Sequence, residues 1–321
     1  MEKAELIDEL FEKIKLLSAA AWEHRIDLAQ VKPWLAQFAE ATVLEDDEQL
    51  HALFMLTHFI FFGQAEIREL LRSLFRDLYK APVIYALRRS NSDTRDHNFI
   101  EAEFQKVLKR TRFLGVGNPS ESGVHLLYYF RQENELPKNL FINSHEIFRR
   151  EPNDGGDRIV VRDQEIEHYV FIDDLCGSRT QAKDYSVDLV VPLKRQKPEV
   201  KVSYFILFAT SEGLKAVRNL RCFDRVGAGF ELDDTFKSLE PQSRIFSPEE
   251  SPFLREHIKA TCQKYGCKLW PPHPLGYKNG QLLLGFSHNT PDNTIPMFWA
   301  NGDQAAPWIP IFKRYHKEYG W

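Results

Sequence analysis

Two adjacent carboxylates, Asp173 and Asp174, follow the apolar run YVFI at 169–172 and precede a small, hydroxylic loop, CGSRTQA at 176–182. Carboxylates of this kind accept hydrogen bonds from sugar hydroxyls. Gly177, Ser178 and Thr180 let backbone amides and side-chain hydroxyls close around an anion such as a phosphate. Acceptors for hydroxyls and donors for a phosphate within one loop are the chemistry of a ribose 5-phosphate site. The same residues also admit a plainer reading, a solvated turn that caps the next helix.

Other residues carry weaker signals of the same kind. PSESG at 119–123 places Ser120, Ser122 and Gly123 just after the predicted strand RFLGVG at 112–117. Such a segment suits a second anion loop, for the pyrophosphate end of a ligand, or equally a turn that bonds its own backbone. Arg131 offers a guanidinium for bidentate phosphate binding, or simply a surface charge. HNTPDNTIP at 288–296 is rich in amides and held by two prolines. His288, Asn289 and Asn293 there have the donors and acceptors to read a base edge, Trp299 has a face on which a base could stack, and a structural turn is the alternative. ELDD at 231–234 is read as a solvated acidic turn before a magnesium site. KYGCKLWPPHP at 264–274 lacks the second ligand pair of a metal motif.

The elements that must position these residues fall into two textures. From the start to about residue 90 the apolar period is helical, with Leu6, Leu10, Ile14 and Leu17 on one face, and Ile67, Leu70, Leu71, Leu74 and Leu78 repeating the pattern. This predicts an all-α lobe over 1–90, in which His51 and His58 are core histidines. The polar run RRSNSDTRDHN at 88–98 marks the expected boundary. Beyond it, over 91–321, short apolar runs alternate with helix-like sequence: RFLGVG, VHLLYYF (124–130), HYVFI (168–172), SYFILFA (203–209) and LLLGF (282–286). The expectation is an α/β domain with a largely parallel sheet flanked by helices. In such sheets ligands bind beyond the carboxyl ends of the strands, which is where the acidic pair is expected.

The stretch 169–182 also resembles the phosphoribosyl-pyrophosphate loop of type I phosphoribosyltransferases, an apolar strand ending in two acidic residues and a Gly/Thr/Ser-rich loop. The resemblance implies that Asp173 and Asp174 meet the ribose hydroxyls and a Mg²⁺ ion, with Gly177, Ser178, Arg179, Thr180 and Gln181 around the 5-phosphate. Three positions depart from the pattern. Arg179 stands where glycine is usual, Gln181 where threonine is commonest, and Gly177 where purine-salvage relatives carry an aspartate base. With GNPSESGVHLLYYFRQEN (117–134) and GFSHNTPDNTIPMFWA (285–300), the chain is similar to the phosphoribosyltransferase-like domain of prokaryotic conflict and anti-phage systems. That likeness covers most of 90–321 and implies a type I phosphoribosyltransferase-like fold and a partner protein of a defence system.

Composition narrows the classes. At 43% hydrophobic over 321 residues the chain can build a full core and at most two domains. A net charge of -4 argues against a nucleic-acid-coating or membrane-surface protein. The cysteines, Cys176, Cys222, Cys262 and Cys267, form no CxxC pair, so reduced thiols are expected. The acidic, amphipathic start does not read as a signal peptide, and the most apolar segment, 52–63, is shorter than the roughly 20 residues of a membrane helix. A cytoplasmic protein is expected. Three functions stay open: a Mg²⁺-dependent enzyme transferring or hydrolysing a phosphoribosyl group, a nucleotide-sensing module that signals to a partner through its helical lobe, and a structural subunit.

Overall fold

The helical period at the start of the chain folds as its spacing demands, with Leu6, Leu10 and Ile14 buried along the inner face of helix Lys3–Ala20. The computed structural model describes residues 3–43, 46–117, 122–153, 156–177, 183, 186–246, 253–302 and 307–315. By its internal contacts the chain divides into Met1–Glu66 with Asp233–Trp321, and Ile67–Leu232.

The first unit gathers helices Lys3–Ala20, Leu28–Leu35, Glu48–Leu56 and Arg255–Leu269. Asp27 caps Leu28–Leu35 through a capping box with Gln30, and Asp47 caps Glu48–Leu56. Their shared core includes Trp22, Trp34, Phe38, Phe59, Phe298 and Phe312. Buried indoles need acceptors, and here backbone carbonyls supply them: Trp22 donates to Phe59 at 3.2 Å and Trp34 to Met297 at 3.1 Å. Strand β1 (Ile60–Phe62) pairs in parallel with Leu284–Phe286. His51 is buried, with Nδ1 2.8 Å from the Thr261 hydroxyl, and His58 is half-buried against the Phe54 carbonyl, both within this core.

The sequence leads to the expectation of a lobe over 1–90 and a domain over 91–321. The N-terminal helices share one core with residues from the far end of the chain. The segment 67–90 belongs with the sheet instead. The polar run at 88–98 is the turn between helices Ala81–Ser90 and His97–Lys109, the latter capped by Asp96.

The second unit is an α/β fold. Its strands are β2 (Thr111–Gly115), β3 (Phe148–Asn153), β4 (Gly156–Val161), β5 (His168–Cys176), β6 (Lys201–Thr210) and β7 (Arg225–Leu232). β3 and β4 form an antiparallel hairpin, while β2-β5-β6-β7 form a sheet in that order, parallel throughout. β6 is buried along almost its whole length, as a central parallel strand covered on both faces must be. Crossovers through helices Val191–Gln196 and Ser211–Arg218 join β5 to β6 and β6 to β7.

Two expectations fail locally. VHLLYYF at 124–130 is helix, part of Ser122–Glu133, because Leu126, Leu127 and Phe130 face inward at helical spacing while Tyr128 points out. LLLGF yields only the short Leu284–Phe286, which pairs with β1 rather than entering the main sheet. β7 goes unread because Gly227 and Gly229 dilute its apolar pattern. They are there for close approach: a Cβ on Gly227 would lie 3.0 Å from Leu78, in the π-helical turn Leu74–Lys80 that packs on β7. Among the described residues, no helix is long and apolar enough to cross a membrane.

Candidate functional site at the ends of β2 and β5

The sheet reverses its direction of growth at β2. After β2 the chain passes through helix Ser122–Glu133 and returns beside β2 at Phe141, which bridges Phe113 in parallel, with Ile142 N–H donating to the Phe113 carbonyl at 3.2 Å. β5 lies on the other edge of β2. Such a switch opens a crevice between the carboxyl ends of the two strands, the place where open α/β sheets take ligands. One wall begins at Gly117, which has φ 104, a left-handed conformation that suits glycine. The other is the end of β5.

The acidic pair lies inside β5 rather than past its end. Asp173 pairs with Ile206 of β6, and the ladder continues through Leu175 with Phe208 and Cys176 with Ala209. Leu175 and Cys176 prolong the strand that the acidic residues were expected to close. Asp173 is only 2% exposed. Its Oδ2 accepts from the Tyr204 hydroxyl at 2.6 Å, and its Oδ1 accepts from Asp174 N–H at 2.9 Å. Burial, with the neighbouring Asp174 charge adding to it, pushes the Asp173 carboxyl well above the usual carboxylate range. Burial and Asp173 push the Tyr204 phenol up in turn. Asp174 is half-buried.

The end of β5 is clamped to the start of the next helix. The Thr210 hydroxyl caps Ser211–Arg218 by accepting from Gly213 N–H at 2.9 Å, and it lies 3.4 Å from the carbonyl of half-buried Gly177. A Cβ on Gly213 would come within 2.4 Å of the Cys176 carbonyl, so only glycine allows this approach. Tyr204, Thr210 and Gly213 were not singled out from sequence. Thr210 directly before the helical run SEGLKAVR was a readable cap, but the Tyr204 contact depends on a strand partner 31 residues away.

The remaining expected site residues separate into groups. Ser120, Ser178, Arg179, Thr180 and Gln181 lie outside the described residues, and Ser122 and Gly123 open helix Ser122–Glu133 at the end of the β2 loop. Arg131 sits in the last turn of that helix, nine residues on, or about 13 Å of helical rise. Its guanidinium lies 5.8 Å from the Tyr128 ring, at the other end of the helix from the crevice. His288, Asn289, Asn293 and Trp299 belong to the other unit. There Asn289 Oδ1 accepts from Thr290 and Tyr315 N–H, Asn293 donates to the Tyr277 carbonyl, and the Trp299 indole donates to the Thr294 carbonyl at 2.7 Å. His288 stacks on Phe286. Asn289, Asn293 and Trp299 thus bond within their own unit.

Neither acidic cluster builds a metal cage. Among the described residues no group of three or more His, Cys, Asp or Glu could hold a metal ion. In ELDD, Asp233 caps the short helical turn Asp234–Phe236 and Glu231 accepts from Ser211. The Asp173 oxygens are engaged, and the half-buried Asp174 stands beside them. This donor set fits only an ion that takes most of its ligands from phosphates and water, as Mg²⁺ does.

A family model, PRTase-CE, matches residues 31–314. The chain belongs to the PRTase-CE family. The match spans both units, and with the parallel sheet it makes this a phosphoribosyltransferase-like protein. Among solved structures, the chain is similar to the AQ2163 protein from Aquifex aeolicus, at 12% identity over 64% of this chain and 83% of that one, with a TM-score of 0.29. It is also similar to the xanthine-guanine-hypoxanthine phosphoribosyltransferase of Helicobacter pylori, at 11% identity over 41% of this chain and 88% of that one, with a TM-score of 0.22. No match is found among the curated proteins.

Proposed function

We propose that the second unit binds a phosphoribosyl ligand in the crevice between β2 and β5, with Asp174 accepting hydrogen bonds from ribose hydroxyls. The observation that carries this reading is an acidic pair held at the switch point of a parallel sheet in a PRTase-CE chain. The loop after β5, with Gly177 at its start and Ser178, Arg179, Thr180 and Gln181 along it, is the proposed phosphate cradle. The loop after β2, leading to Ser122 and Gly123 at a helix N-terminus, is the proposed seat of the pyrophosphate. A Mg²⁺ ion, if used, would be held by Asp174 with the ligand's phosphates and would neutralise charge on the leaving pyrophosphate. Catalysis would rest on holding ribose and pyrophosphate in place, with no side-chain nucleophile. The similarity of 117–134 and 285–300 to defence-system domains supports a role as a nucleotide-metabolism effector with a partner protein.

A non-catalytic sensor is the second reading. It is favoured by Asp173, whose carboxyl is spent inside the sheet and offers no base to an acceptor. Calorimetric titration with phosphoribosyl pyrophosphate and Mg²⁺, with pyrophosphate release followed in the same samples, separates the two. The wild type is expected to bind, and Asp174→Asn to bind roughly 100-fold more weakly, the loss of charge-assisted hydrogen bonds worth ~3 kcal/mol. Release marks an enzyme and binding alone a sensor. Undiminished binding by Asp174→Asn would sink the assignment.

A further inference from the structure

Tyr204 stands in the most apolar strand of the molecule, and its ring is fully buried among Phe171, Ile206 and Val202 of the same core. A phenylalanine would fill that space equally well. The hydroxyl costs desolvation, and so does the carboxyl it meets, so the pair is retained for something other than packing. Register explains the meeting. Tyr204 pairs with Phe171 and Asp173 with Ile206, so the two polar side chains are diagonal neighbours on adjacent strands. The tyrosine ring is itself steadied by Phe223, with centroids 5.1 Å apart.

A short chain of bonds then runs outward. The Tyr204 hydroxyl donates to Asp173 Oδ2 at 2.6 Å, and Asp173 Oδ1 receives Asp174 N–H at 2.9 Å. The second bond fixes the peptide that carries Asp174, whose own carboxyl also meets Asp173. We propose that Tyr204 is the positioning residue that holds the Asp173–Asp174 pair and thereby sets a preference for ligands carrying the ribose 2-hydroxyl. Tyr204 touches no ligand itself. The inference rests on the phosphoribosyl reading of this site and names what gives that site its sugar selectivity. Without the hydroxyl, Asp173 loses a fixed partner, the Asp174 peptide turns more freely, and an acceptor aimed at one hydroxyl becomes a diffuse charge that still attracts a phosphosugar but no longer distinguishes its sugar.

The test is calorimetric titration with ribose 5-phosphate and 2-deoxyribose 5-phosphate, for the wild type, Tyr204→Phe and Phe223→Leu, with Tm measured for each. The wild type is expected to prefer the ribose form by roughly tenfold, the worth of one charge-assisted hydrogen bond. Tyr204→Phe is expected to bring the ratio to within about twofold of unity. Phe223→Leu loosens packing on the same ring and keeps the hydroxyl, so it is expected to lower Tm and leave the ratio as in the wild type. A folded Tyr204→Phe protein that keeps the wild-type ratio overturns the inference alone. So does a Phe223→Leu protein whose ratio collapses with its Tm, because packing would then set selectivity. A wild type that binds neither sugar phosphate overturns the phosphoribosyl reading and this inference with it.

Discussion

The end of β5 and the loop at 288–296 look alike in sequence, each a short polar segment beside apolar strand residues, yet they use their polar groups in opposite ways. In the loop, Asn289, Asn293 and Trp299 spend their hydrogen bonds on backbone within the same unit. At the end of β5 one carboxyl is drawn into the sheet by Tyr204, and the next is half-buried beside it. A polar residue whose capacity is filled by its own fold is scaffold. A carboxyl pair at the switch point of a parallel sheet is where the proposed ligand would be received.

The largest effect that bears on this contrast lies far from either segment in sequence. Trp34→Ala removes a fully buried indole that stacks on Phe298 and donates to Met297, and is expected to cost the first unit about 3–5 kcal/mol of stability, measured by denaturant unfolding. If the 288–296 loop is scaffold, titration of the still-folded variant returns wild-type affinity for ribose 5-phosphate. A loss of tenfold or more would mean that the first unit supplies part of the site.

The base of β5 supplies the next largest. His168 has its Nε2 2.8 Å from the Ser203 hydroxyl, and burial, helped by the Lys201 charge, holds its pKa down to about 4. The unfolded chain takes up a proton near pH 6.5 and the folded one only near 4, so stability is present above 6.5 and is lost as pH falls toward 4. The loss amounts to at most about 3 kcal/mol, reduced by screening because the ring is not fully enclosed. Tm measured from pH 7.5 to 4.5 should fall more steeply for the wild type than for His168→Gln. Equal slopes would show that this ring plays no part in the acid response.

What could be read from the sequence follows from how local each determinant is. β5 and β6 are legible because continuous apolar runs suffice for buried parallel strands, and the acidic pair is legible because it interrupts one of them. The helix at 124–130 is misread because HLLYYF carries no charge until Arg131, so its spacing is hidden by its composition. β7 is hidden by glycines whose purpose lies in a packed helix, and the burial of Asp173 depends on Tyr204 in another strand. The division of the chain is the least local feature: Trp34 is completed by Met297 and Phe298, more than 260 residues away, and nothing in the helical period of 1–90 announces that partner.

The smallest effect sharpens the contrast most directly, because it acts within the loop itself. Asn289 Oδ1 receives two backbone N–H groups, from Thr290 and from Tyr315, and so ties 288–296 to the segment at 315. Asn289→Ala leaves both donors to water or to nothing, at a cost of about 1–2 kcal/mol. Because Tyr315 is exposed and Asn289 half-buried, water can recover some of that loss, and Asp, which keeps the acceptor, should recover most of the rest. Asn289→Ala is therefore expected to lower Tm by a few degrees and Asn289→Asp by less, while neither changes affinity for ribose 5-phosphate. If affinity falls and Tm does not, Asn289 faces a ligand after all, and the two polar segments serve one site.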